Sequence, residues 1–80
     1  MTKIDLHGYT IHDAWLAFNV AIDNAYFEGK RSVVVVTGQG AMMREFETWA
    51  NNHSKVREVT QHNHNPGSFS VKLKKIQKRH

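Results

Sequence analysis

The stretch "SVVVVTGQGAMM", Ser32 to Met43, decides how this chain folds. Four consecutive valines, Val33 to Val36, give a strand that is apolar on both faces. A strand of that kind sits deep inside a sheet, and such runs are typical of parallel sheets covered by helices. The run ends at Thr37. Gly38 and Gly40 then lead into a segment where Met42, Phe46, Trp49 and Ala50 recur at helical spacing, predicting a helix over 42–53. A buried strand that turns through glycines straight into a helix is half of a parallel crossover unit.

The same grammar precedes it. "KIDLH", residues 3–7, alternates Ile4 and Leu6 on one side with Lys3, Asp5 and His7 on the other, as a strand with one buried face does. Gly8 ends that strand. Thr10 followed by Asp13 is a variant of the helix capping box, and Ile11, Trp15, Phe18, Ile22 and Tyr26 form a helical stripe that Gly29 closes. The tryptophans and methionines read as core. Downstream, "KVREVTQ" predicts a third strand, and "SFSVKLKK" a fourth, with Phe69, Val71 and Leu73 inward and Ser68, Ser70, Lys72 and Lys74 outward.

The order is therefore βαβαββ in a single α/β domain over residues 1–80, with a core of about 3–75 and a basic tail at 76–80. Two right-handed crossovers put both helices on one face of a mixed four-stranded sheet, and the Pro66-Gly67 turn returns the last strand antiparallel. The result is a two-layer sandwich whose other sheet face is open. Parallel strands bring the ends "DLHG" and "TGQG" to one edge of the sheet, where open α/β sheets bind ligands.

Composition narrows the function. Eighty residues support one core, and the longest apolar run is far too short to span a bilayer. Zero cysteines and a start without a basic-then-apolar leader predict a cytoplasmic protein. The chain carries 11 Lys and Arg against 7 Asp and Glu, and beyond Glu58 no acid offsets Lys72, Lys74, Lys75, Lys78 and Arg79. That asymmetry favours a polyanionic partner.

Two stretches carry chemistry. In the first, Asp5 and His7 are an acid and an imidazole two residues apart, with Gly8 beside them. A histidine, with an ordinary pKa of ~6.5, exchanges a proton near neutrality, and a carboxylate beside it orients the ring or holds a cation. In the second, Thr37, Gly38, Gln39 and Gly40 precede a helix whose first amides suit a phosphate. The loop lacks the Lys-Ser/Thr ending of a Walker A motif and the GxGxxG pattern. Arg44, Lys72 and Lys74 are candidates to hold flanking phosphates. His62 and His64 lack a third partner for a metal site and are candidates for proton donation or phosphate contact, and Tyr9 is a candidate stacking platform.

"IDLHG" at 4–8, "TGQG" at 37–40 after a valine-rich strand, Trp49 in the next helix and a Pro-Gly turn before "SFSVKLKK" together resemble a stand-alone Smr (small MutS-related) domain. The resemblance spans about residues 3–75. It implies a fold like the C-terminal domain of bacterial translation initiation factor 3, with the fourth strand inserted between the second and third. It also implies nucleic-acid binding. Several members are DNA-nicking or RNA endonucleases, some acting on messenger RNA at stalled ribosomes. Carried over by motif, Asp5 and His7 are the catalytic candidates, and Thr37, Gly38 and Gly40 the second motif. Thr37 stands where many members have His, and "PGSF" stands for a longer glycine-rich motif.

The leading expectation is an endonuclease acting on RNA, or nicking DNA, without a cofactor; a divalent metal enters if DNA is the substrate. The alternatives are a non-catalytic nucleic-acid or ribosome-binding module, and a small phosphate-ester enzyme.

Overall fold

The computed structural model describes residues 2–38 and 40–75. Two of the expectations above, Gln39 and the tail 76–80, lie outside them, as does Met1. The elements are β1 (Thr2–Asp5), α1 (Ile11–Phe27), β2 (Ser32–Val36), α2 (Ala41–Asn51), β3 (Val56–Gln61) and β4 (Ser68–Leu73). The sheet order is β1-β2-β4-β3, so the last strand is inserted between the second and third. β1 and β2 are parallel, and β4 is antiparallel to both β2 and β3.

Register fixes the two faces of the sheet. Ile4 pairs with Val35 and Val35 with Phe69, while Val33 pairs with Val71, so these side chains share the face covered by the helices. Asp5 pairs with Val36, and Ser32 with Lys72, on the open face. Phe46 of α2 joins the layers, with its ring centroid 5.2 Å from Phe18 of α1 and 4.8 Å from Phe69 of β4. Truncating such a ring to alanine costs ~3–5 kcal/mol, because the close-packed surroundings relax only in part.

The helices are cut where the sequence places stop signals. The Thr10 hydroxyl accepts the Asp13 amide at 3.1 Å, satisfying one of the orphan donors at the start of α1. At the other end Gly29, with φ of 78°, completes a Schellman turn in which the Lys30 amide donates to Ala25 and the Gly29 amide to Tyr26. α2 ends at Asn51 rather than His53.

The buried stripe of α1 differs from the expected one. Ala14, Phe18, Ile22 and Ala25 face the sheet, whereas Trp15 is 42% exposed, Ile11 lies at the rim and Tyr26 is half-buried. The alanines are the physical reason: a small side chain at the contact lets the helix axis approach the sheet, and the large residues one position away are pushed to the flank. On α2, Met42, Phe46 and Ala50 are buried as expected, with Met43 and Trp49 partly buried against them. Ser68, expected outward, is also buried, where its amide donates to Asn65 and its carbonyl accepts from His62.

Candidate functional site

The carboxyl ends of β1 and β2, the start of β4 and the N-termini of both helices meet at one edge of the sheet. β1 is shorter than expected, and His7 lies beyond it in a turn. The Tyr9 amide donates to the Leu6 carbonyl at 3.2 Å, and Gly8 takes φ of 84° at the third position of this turn, as a type II turn requires. The turn carries His7 back toward the strand. Its amide donates to Asp5 Oδ1 at 3.0 Å, and its ring Nδ1 lies 2.9 Å from the same oxygen.

This double contact sets the protonation pattern. The side-chain bond to His7, and after it the backbone bond, hold the Asp5 carboxyl below the ordinary carboxylate range. An ionised carboxylate only accepts, so Nδ1 donates to it, and in the neutral ring Nε2 then presents its lone pair to solvent. Both side chains are open to solvent, at 70% for His7 and 54% for Asp5. The arrangement is one that can act as a base, with the ring oriented by Asp5 on an exposed surface.

The second motif packs against the first through glycines. A side chain at Gly38, whose φ is 72°, would place its first carbon 3.3 Å from the His7 Cβ. Gly67 is tighter still: a Cβ there would lie 2.8–3.0 Å from the Gly38 backbone. The Gly67 carbonyl accepts the Thr37 amide at 2.7 Å and the Gly38 amide at 3.2 Å. The buried Thr37 hydroxyl reaches the carbonyls of Gly38 at 2.8 Å and Gly67 at 3.2 Å. Thr37 is thus a fastener between β2 and the start of β4. The Gly38 amide, expected to meet a phosphate, is already used in the same fastening.

Further donors lie one step on. Gly40 is the N-cap of α2 and supplies no side-chain cap, so the first-turn amides from Ala41 to Met43 gain no partner from it. With the helix dipole they make an electropositive spot at the motif edge. Arg44 is exposed in the first turn of α2. Gly67 is the packing position not singled out in the sequence; its signal is the Pro66-Gly67 pair, read as a turn and as the shortened glycine-rich motif of "PGSF". His62 and His64 sit on the β3–β4 loop at the same edge, and that loop is held by Gln61 donating to the Pro66 carbonyl at 2.8 Å and the Gly67 amide donating to Asn65 Oδ1 at 3.2 Å.

Lys72 and Lys74 are not at this edge. Val36 pairs with Ser68 at the motif end, and Ser32 with Lys72 at the other, so four residue steps separate them. At ~3.4 Å per residue that is about 14 Å. Both lysines line a cavity of about 460 Å³ at the far end, with Lys30, Arg31 and Arg57. A second cavity, of about 400 Å³, lies between the helices beside Trp15 and Trp49, and neither cavity includes Asp5 or His7.

Among the described residues, no group of three or more His, Asp or Glu is placed to hold a metal ion, and no helix is long and apolar enough to cross a membrane. No curated protein sequence matches the chain. Among solved structures it is similar to the crystal structure of the Smr domain of Thermus thermophilus MutS2. The TM-score is 0.85 at 19% identity, over 92% of this chain and 99% of that one, a likeness that speaks to the fold. The profile of the Smr domain matches residues 4–74, which include the Asp5-His7 turn, the Thr37-Gly38 fastener and the Gly67 return. The chain belongs to the Smr domain family.

Proposed function

We propose that this domain is an endonuclease that cleaves RNA, with His7 as general base and Asp5 as its orienting partner. Smr domains in general bind nucleic acid, and some are nucleases. The observation that carries the catalytic reading is the pair of contacts from His7 to Asp5 Oδ1, 2.9 Å from the ring and 3.0 Å from the amide. In the neutral ring they place the proton on Nδ1 and turn the Nε2 lone pair to the surface, where it can accept a proton.

The step balances without a metal. His7 Nε2 takes the proton of a ribose 2′-hydroxyl, and the 2′-oxygen attacks the adjacent phosphorus. The bond to the 5′-oxygen breaks, and that oxygen takes a proton from water or from a histidine of the 62–66 loop. The products are a 2′,3′-cyclic phosphate and a 5′-hydroxyl. Charge developing on the phosphoryl oxygens meets the amides at the start of α2, where donors fixed in advance need no reorganisation. Arg44 holds the flanking phosphate. The openness of the pair suits a macromolecular substrate over a small phosphate ester, which needs enclosure. A cytoplasmic setting agrees with a chain that has no cysteine.

A second reading, a nucleic-acid or ribosome-binding module without turnover, is favoured by Thr37. Its hydroxyl is committed to two backbone carbonyls, so it supplies no second proton-transfer group where many relatives have an imidazole. The experiment that decides is cleavage of a labelled structured RNA in excess EDTA, beside the same RNA with one 2′-deoxyribose 5′ of the cut. Cleavage of the first and protection of the second are expected. Cleavage of both, or complete inhibition by EDTA with the fold intact, would overturn the role of His7 and favour a metal at Asp5 acting on DNA.

A further inference from the structure

The end of the sheet opposite the motifs gathers positive charge from three separate parts of the chain. Lys30 and Arg31 come from the α1–β2 turn, Arg57 from β3, and Lys72, Lys74 and Lys75 from the end of β4, all lining one cavity of about 460 Å³. Their convergence is built by the backbone. The left-handed Gly29 turns the chain so that the Arg31 carbonyl accepts the Leu73 amide at 2.8 Å, which ties the first pair of cations to the last strand. Between Val56 and Glu58 the pairing of β3 with β4 shifts register, and Arg57 is the extra residue. A bulge re-aims its side chain, here into the same cavity.

Opposite charge is sparse but present: Glu58 stands across the strand pair from Lys72. Lys30 approaches Glu28 at 3.8 Å, but among the described residues the other five cations form no ion pair. Clustered like charges repel, so a fold that collects them at one place loses stability unless a polyanion occupies it.

We propose that this basic pole is a second nucleic-acid contact, which grips the phosphate backbone of a strand whose reacting segment lies at Asp5 and His7. The proposal rests on the nucleic-acid reading given above and adds to it a site and a length. The pole and the motif edge are about 14 Å apart along the strands, and a stacked strand advances ~3.4 Å per nucleotide. A substrate must therefore extend roughly four to five nucleotides beyond the cut to engage both. Two weak sites joined by one strand bind far more tightly than either alone once the strand spans them.

The test uses fluorescently labelled RNAs of increasing length, with the Arg57→Gln/Lys74→Gln double variant checked for an unchanged melting curve; these exposed neutral changes spare the packed core. Wild-type affinity should rise steeply once the RNA spans both ends. The variant should lose that rise, binding long RNA roughly tenfold more weakly, with the slope of log affinity against log salt flatter by about 1.4, or ~0.7 per lost single-strand contact. Binding of RNA too short to span should be unchanged. Unchanged affinity for long RNA at low salt would overturn the proposal, as would an equal loss at every length. Polyglutamate bound as tightly, with the same loss in the variant, would reassign the pole to an acidic protein. A wild-type protein that binds but never cleaves would defeat only the catalytic reading, because the binding arms decide the pole by themselves.

Discussion

The two ends of this sheet are built from opposite materials. At the motif edge Gly8 supplies a left-handed turn, Gly38 and Gly67 allow close approaches, Thr37 is committed to fastening, and an acid and a histidine form a hydrogen-bonded pair. At the far pole there is no such fine geometry, only cations brought together by a turn and a bulge. The difference teaches that placing a reacting group and holding a polyanion make unlike demands. A base needs its position fixed to fractions of an ångström, because misplacement of ~1 Å costs about 10²-fold in rate. A phosphate backbone needs charge within a Debye length of ~8–10 Å and tolerates looseness.

The contrast should break most visibly at His7. Replacing His7 with Ala removes the proposed base while leaving its amide bond to Asp5, so cleavage should fall by about 10²–10⁴ with little change in melting temperature. Single-turnover cleavage beside a melting curve checks this, and a comparable loss of stability would mean that His7 is structural. Next in size is Gly67→Ala. A methyl group 2.8 Å from the Gly38 carbonyl carbon forces backbone to move, a cost of roughly 2–3 kcal/mol, seen as a melting point lower by about 8–24 °C.

Gly38→Ala should be milder in stability and sharper in function. The left-handed backbone costs about 1 kcal/mol, and the new methyl, 3.3 Å from the His7 Cβ, pushes on the base itself. Cleavage should drop by about tenfold or more while affinity for long RNA holds; equal losses would assign the glycine loop to folding alone. The smallest effect is electrostatic. The Asp5 carboxyl titrates below the ordinary range, chiefly through the His7 ring, so in His7→Ala its midpoint should rise part of the way back, the backbone bond remaining. The sign follows from linkage: a depressed carboxylate contributes above its unfolded pKa, and that contribution is lost as pH falls through the folded one. Carbon-detected NMR of the carboxyl group reads the shift, and a midpoint that does not move would remove the ring from the account.

Much of the fold is legible in the residues themselves. Val33 to Val36 mark the central strand, of which Val33 and Val35 are buried and Val34 and Val36 half-buried; Thr10 and Gly29 mark the ends of α1, and the alternation of Phe69, Val71 and Leu73 places β4 inward. The helix stripe was harder, since Ala14 and Ala25 face the sheet and alanine carries little hydrophobic signal beside Trp15 and Ile11. At the site, local motifs identify Asp5, His7, Thr37 and Gly38, because each pairing there is close in sequence or fixed by strand register. Gly67 matters through a backbone contact with Gly38, which is distant in sequence, and the Pro-Gly turn alone does not reveal that contact. The same limit applies to Lys72 and Lys74. Alternation told which face Lys72 occupies but not which end of the strand the motifs approach, and Arg57 joins the pole through a bulge that the sequence does not announce.

The division of labour between the ends is tested most directly by measuring cleavage rate at saturating enzyme, and affinity, on one long RNA for His7→Gln and for Arg57→Gln/Lys74→Gln. The account predicts that His7→Gln loses the rate and keeps the affinity, whereas the pole variant binds more weakly and, once saturated, cleaves at the wild-type rate. A His7→Gln protein that cleaves at the wild-type rate, or a pole variant that loses rate at saturation while binding normally, would contradict it.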